Sequence, residues 1–199
     1  FLLTGEAYGE ITDLSGSSLV NLEKADYDDS LLTLFGLESV RDKLPPLVYP
    51  AQVCGQVTRR AASLTGLREG TPVAAGMFDI DACAVGMNVT DETRIAVIAG
   101  TWAINEYIAK RPVLDHSVQM NSLYAIPGYY LVEESSPTSA ANHEWFCQNL
   151  LKCGAEKSGG DLYEFANGLA ASVRPQDSDL LFFPYLYGGN YNHQANACF

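Results

Sequence analysis

The chain has 199 residues, 47% of them hydrophobic and 18% charged, a composition that supports a substantial core and excludes wholesale disorder. Its 12 Lys and Arg stand against 24 Asp and Glu, a formal charge of −12, which disfavours a broad basic face and with it nucleic acid as a partner. No apolar run approaches the roughly 20 residues that cross a bilayer, so no membrane partner is expected. The start FLLTGEAYGE has neither the basic flank nor the apolar length of a signal peptide. Five cysteines form no CxxC pair, and their apolar neighbours read as reduced, buried thiols of a cytoplasmic protein. With no initiating Met, and with FLLTGE and ACF at its ends, the sequence reads as an excerpt from a longer protein.

Residues 1–27 are polar and Gly/Ser-rich, and TDLSGSSLVNL supplies turn and cap chemistry. SLLTLFGL predicts a short helix stopped at Gly36, and KLPPLVYPAQVCG, with three prolines, predicts an extended connector. Thr58 caps a predicted helix over RRAASLT, Gly66 ends it, and TPVAAG reads as a strand. DIDACAVGM suits a small-residue helix. TRIAVIAG and AINEYIA, separated only by TW, predict a hairpin, and a further strand or pair surrounds PGYYLVEE. SAANHEWFCQNLL predicts a helix, and GGDLYEFANGLAASV places Leu162, Phe165, Leu169 and Val173 on one core-packed face. Strands mixed with helices indicate α/β, with a composition shift at residues 88–92 as the domain boundary.

The run AAGMFDIDACAVG places Asp79 and Asp81 among small and apolar residues, where a carboxylate needs compensation. Asp79 follows a strand and precedes a helix, so spacing alone reads it as a cap; the same place, at the carboxyl end of a strand, is where α/β proteins open a ligand crevice and where a carboxylate serves as a base. Asp81 reads as a first-turn acid facing the helix dipole. Positions two apart on a helix do not face one another, so the two do not share a task. In AGTWA, Gly100 permits close backbone approach, and backbone N–H groups with the Thr101 hydroxyl can meet phosphate oxygens; a tight turn explains the same residues. Ser15 and Asn21 are candidates for the polar wall of a ligand site, and Trp145 reads as core. His116, His143 and His193 lack metal-ligand spacing, so no protein-held metal is expected. YLYGGNYNHQAN reads equally as an active-site loop and as a surface connection.

The segments TGE…TDLSGSSLVNL, LPPLVYPAQVCGQVTRRAASLTGLREGTPVAAGMFDIDACAVG, IAGTWA and LLFFPYLYGGN, in this order and spacing, resemble the FGGY carbohydrate kinases over nearly the whole chain. Within that family, GMFDIDACAVG, GTWAINEY, EESSPTSAANHEWF and FFPYLYGGN are most similar to the branch acting on L-xylulose. The resemblance implies an actin-like, ribonuclease H-like ATPase fold of two lobes and a central cleft, of which this is an incomplete central portion. Residues 1–88 would be the latter part of the N-terminal, sugar-binding lobe, and residues 89–199 the start of the C-terminal, nucleotide-binding lobe. It further implies ATP-dependent phosphorylation of a small sugar with Mg²⁺, Asp79 as general base and Gly100 and Thr101 as a phosphate-binding turn; a homodimer is compatible with it. Ile80 stands where many members carry an amide, and Trp102 where many carry a small residue, so Ile80 marks a less polar wall of the sugar site. Another ketose or a polyol is the alternative substrate, and a non-catalytic sugar-responsive binding protein is the alternative class.

Overall fold

A computed structural model describes residues 1–189 and 196–198, which form two compact units, Phe1–Ala96 with Glu106–Glu133 and Val97–Asn105 with Glu134–Phe199. In the first unit Val89, Ala96, Ile108, Tyr124 and Leu131 share one apolar core with Ala84.

In the first unit, β1 (Gly9–Glu10) runs directly into α1 (Ile11–Ser15), which replaces the loop expected over TDLSG. The helix forms because the Glu10 carboxylate accepts from the otherwise unpaired N–H groups of Thr12 and Asp13. β2 (Val20–Asn21) and β3 (Asp26–Tyr27) make a small antiparallel pair. α2 (Asp29–Leu34) is capped by Asp28, and Gly36 follows it at a left-handed φ of 67°, as the sequence predicts. The proline-bearing segment is more than a connector. After a 3₁₀ turn at Glu38–Lys43 it supplies β4 (Leu47–Val48), parallel to β1, and β5 (Val53–Gln56). Pro45, Pro46 and Pro50 flank these strands without interrupting their ladders.

α3 (Arg59–Thr65) has the predicted ends: Thr58 Oγ1 accepts from Ala61 N–H at 3.2 Å, and Gly66 adopts φ 78°. β6 (Pro72–Ala74) returns antiparallel to β5 and leads into α4 (Asp79–Gly86). β7 (Ile95–Ala99), β8 (Ala103–Ala109), β9 (Met120–Leu123) and β10 (Tyr130–Ser136) form a four-stranded sheet in the order β7–β8–β10–β9. β9 and β10 are antiparallel, with Tyr130 opposite Leu123. A second core joins Ile11, Val20, Tyr27 and Leu123, so α1 packs beside β9.

In the second unit, α5 (Ala140–Phe146), a π-helical turn at Cys147–Leu151 and α6 (Lys152–Ser158) follow without a break, and Asp161 caps α7 (Leu162–Ala171). α6 and α7 meet closely at Gly154, where a Cβ would lie 3.1 Å from the Phe165 ring. The expected core face of α7 is only partly realised. Leu162 and Phe165 are half-buried, but Leu169 is exposed, and Val173 lies past the helix end and is exposed as well. Trp145 is 39% exposed, so it is not the core residue expected. Of the cysteines, all of them free, Cys54 and Cys147 are buried as predicted, whereas Cys83, Cys153 and Cys198 are exposed. On α4 it is Asp81 and Ala84 that are buried, which leaves Cys83 on an outward face. No helix among the described residues is long and apolar enough to cross a membrane.

Candidate active site

The site in the first unit is built around the entry to α4. Phe78 holds an extended conformation there (φ −54°, ψ 143°), with no side-chain cap of its own, and Asp79 is the first helical residue rather than the cap. The Asp79 side chain is exposed, and its Oδ1 accepts from the N–H of Ile80 at 2.9 Å. Asp79 lines a recess of about 460 Å³ together with Glu10, Asp13, Ala75, Met77 and Phe78. Three carboxylates around one recess offer acceptors to hydroxyl donors and repel an anion, which fits a neutral polyhydroxylated ligand.

Asp81 faces the opposite way. It is fully buried, its Oδ1 accepts from Ala125 N–H at 2.8 Å, and its Oδ2 has no hydrogen-bond partner among the described residues. Burial pushes its carboxyl up to about 7; the Ala125 bond opposes this and the Glu10 charge adds to it. Glu106 on β8 is also fully buried, neither of its carboxyl oxygens has a hydrogen-bond partner among the described residues, and burial followed by the charges of Glu133 and Asp81 pushes it up to about 7. Tyr124, between β9 and β10, donates its hydroxyl to Val89 O at 2.7 Å and is pushed up to about 12 by burial and by the Asp81 and Glu106 charges. The first-turn role predicted for Asp81 is therefore incomplete: its carboxyl is a tie to another part of the unit. Two apolar neighbours and an i, i+2 spacing could have flagged one inward and one outward acid, but Ala125 as the partner had no signal.

The other sequence candidates divide clearly. Ser15 is buried, donates to Thr12 O at 2.9 Å and accepts from Leu123 N–H at 2.9 Å. Asn21 Nδ2 donates to Asp28 Oδ2 at 2.9 Å, while its Oδ1 accepts from the N–H groups of Glu23 and Lys24. Both side chains are thus engaged within the fold. Ile80 is half-buried against the core of Ala84, Val89 and Ile108. In the second unit, Gly100 and Thr101 form the exposed turn linking β7 and β8. Gly100 N–H donates to Trp102 O, and the Gly100 and Thr101 carbonyls accept from Ala140 and Ser139 N–H at 3.0 and 3.2 Å. Those bonds pin the turn while its Thr101 side chain stays exposed. Among the described residues no three His, Cys, Asp or Glu side chains are grouped to hold a metal ion. His193 and positions 190–195 of the YLYGGNYNHQAN stretch lie outside the described residues.

Residues 1–86 match the N-terminal domain of the FGGY family of carbohydrate kinases. Its first 86 residues are thus those of an FGGY-family N-terminal domain. It is 38% identical over 205 residues to a probable L-xylulose kinase of Pasteurella multocida, covering 100% of this chain and 40% of that protein. It is also 35% identical over 190 residues to the L-xylulose/3-keto-L-gulonate kinase of Escherichia coli K12, covering 94% of this chain and 36% of that protein. The chain thus spans about two fifths of the length of these relatives. Its fold superposes on the crystal structure of xylulose kinase from Rhodospirillum rubrum with a TM-score of 0.86 at 22% identity, over 99% of this chain and 39% of that one. Gluconate kinase from Lactobacillus acidophilus superposes with a TM-score of 0.78 at 23% identity, over 94% of this chain and 36% of that one. The fold class is the α/β, actin-like ATPase fold of these sugar kinases.

Proposed function

We propose that the full-length protein is a cytoplasmic kinase that transfers the γ-phosphoryl group of ATP, delivered as its magnesium complex, to a hydroxyl of a small ketose, a ketopentose such as L-xylulose. The observation that carries this reading is the exposed Asp79 carboxylate at the start of α4, in a recess it shares with Glu10 and Asp13. A sugar hydroxyl is a weak nucleophile near neutral pH. Asp79 orients it and takes its proton as the new oxygen–phosphorus bond forms and the bond to the bridging oxygen breaks, releasing ADP. Magnesium supplies charge neutralisation on the phosphates. Gly100 and Thr101 hold phosphate oxygens through the turn's backbone and the Thr101 hydroxyl. In this reading residues 1–88 belong to the sugar-binding lobe and residues 89–199 begin the nucleotide-binding lobe. Ser15 and Asn21, engaged within the fold, serve the recess as scaffold, and Ile80 gives its neighbourhood an apolar side.

The test is ketose-dependent ADP release by the full-length protein across ketoses and polyols, repeated with Asp79→Asn. The expected result is preference for a ketopentose, with turnover of the variant reduced by roughly 10²–10⁴-fold, the contribution of a positioned base. Sugar binding is expected to persist in the variant. Sugar binding by the wild-type protein with no ADP release on any substrate would instead identify a binding protein.

A further inference from the structure

Asp79 opens a helix whose cap residue, Phe78, contributes no side-chain hydrogen bond, so the start of that helix must be fixed from elsewhere. The backbone N–H of Phe78 donates to Thr12 Oγ1 at 2.9 Å, across 66 positions of sequence. A threonine hydroxyl has a single proton. Here that proton goes to Glu10 Oε2 at 2.5 Å, which turns the lone pairs of Thr12 Oγ1 toward Phe78. Glu10 is held in turn by the N–H groups of Thr12 and Asp13 at 3.0 and 3.1 Å. Thr12 is fully buried, and a hydroxyl that donates to a carboxylate becomes a stronger acceptor.

We propose that Thr12, oriented by Glu10, is a positioning residue for phosphoryl transfer: it fixes the backbone of Phe78 and so the direction in which Asp79 presents its carboxylate. The inference rests on the reading of Asp79 as the base. Neither the Thr12 hydroxyl nor its proton takes part in the transfer; the proton stays shared with Glu10 throughout. Without the bond, the Phe78 peptide is free to turn, and the carboxylate one residue later turns with it. Displacement of a reacting group by about 1 Å costs on the order of 100-fold in rate.

The experiment is steady-state kinetics of the full-length protein with Thr12→Val, Thr12→Ser and Asp79→Asn. Val keeps the shape and removes both halves of the relay; Ser restores the hydroxyl. The expected result for Thr12→Val is a kcat roughly 10–100-fold lower, the scale of a misplaced group, with KM for sugar and for ATP little changed. Thr12→Ser is expected to return most of the lost kcat, a rescue that general loosening of the fold would not give. Wild-type kcat in a folded Thr12→Val variant overturns the proposal and leaves Asp79 as the base. Wild-type kcat in Asp79→Asn overturns the base itself. If Thr12→Val does not fold, Glu10→Gln keeps the side-chain shape and weakens the acceptor of the Thr12 proton; a lower kcat with KM for sugar unchanged supports the relay, whereas an unchanged kcat, or a loss that falls on KM for sugar, overturns it.

Discussion

Asp81 Oδ1 accepts the N–H of Ala125 at 2.8 Å, so a side chain two residues beyond Asp79 ties α4 to the turn that follows β9. One helical turn thereby presents one carboxylate outward and buries the other. Replacing Asp81 by Asn keeps an acceptor for Ala125 and is expected to leave kcat nearly unchanged. Replacing it by Ala leaves a peptide N–H without its partner and is expected to cost about 1–3 kcal/mol. Urea unfolding of the full-length variants, with ADP release measured in parallel, checks both; a larger kinetic loss for Asp81→Asn than for Asp79→Asn would exchange the roles of the two residues.

The buried acids set a pH dependence. Asp81 and Glu106 lie at about 7 in the folded protein, against about 4 for such groups in an unfolded chain. Between those values the folded state binds more protons than the unfolded one, so stability falls as pH rises. The contribution is complete below about pH 4 and is lost as pH passes through 7. Asp28, held well below the ordinary carboxylate range by Lys24, Ser30 and Asn21, has the opposite sign, but its window lies in acid below that range. The urea midpoint is therefore expected to be lower at pH 8 than at pH 5.5, and Glu106→Gln is expected to shrink the difference. An equal midpoint at both pH values in the wild-type protein would show that these carboxyls are not protonated in the fold.

Gly100 separates fold from ligand. A Cβ there would meet only Trp102 O, at 3.7 Å, an ordinary contact, and its φ is not left-handed. The turn itself does not demand glycine. Gly100→Ala is expected to leave the thermal midpoint within a few degrees while raising KM for ATP by about tenfold, the loss of roughly 1.4 kcal/mol of phosphate contact. An unchanged KM would mean that phosphate does not approach this backbone.

Gly55 gives the contrasting case. Its φ is 130°, and a Cβ would stand 2.9 Å from Thr4 Cβ. Gly55→Ala combines a disfavoured backbone with overpacking and is expected to cost about 1–3 kcal/mol, with KM for both substrates unchanged in the folded fraction. Thermal unfolding measures it, and a midpoint equal to that of the wild-type protein would refute the clash.

Ile80 touches both packing and specificity. Ile80→Gln places an amide against the Ala84 core and is expected to lower the thermal midpoint, while shifting the ratio of kcat/KM between ketoses and polyols more than KM for ATP. Unchanged ratios across the sugar panel would confine Ile80 to the core.

The sequence by itself determined the elements whose ends are chemically marked. Thr58 and Gly66 bracket α3, Gly36 follows α2, and the two apolar runs on either side of Thr101 and Trp102 became β7 and β8, with Gly100 joining the turn, because caps, left-handed glycines and short turns act within a few residues of themselves. The motif around Asp79 was legible for the same reason: a strand, a turn and a helix start are local. Only tertiary structure decided which acid is buried, since Asp79 and Asp81 sit in the same local setting and differ in whether a distant N–H, that of Ala125, is there to receive a carboxylate. It likewise decided that Ser15 and Asn21 are engaged within the fold and that Thr12 reaches Phe78. Those partners lie 108, 7 and 66 positions away, and a polar side chain carries no mark of whether its hydrogen bond will go to water, to a ligand or to a peptide group that only folding brings near.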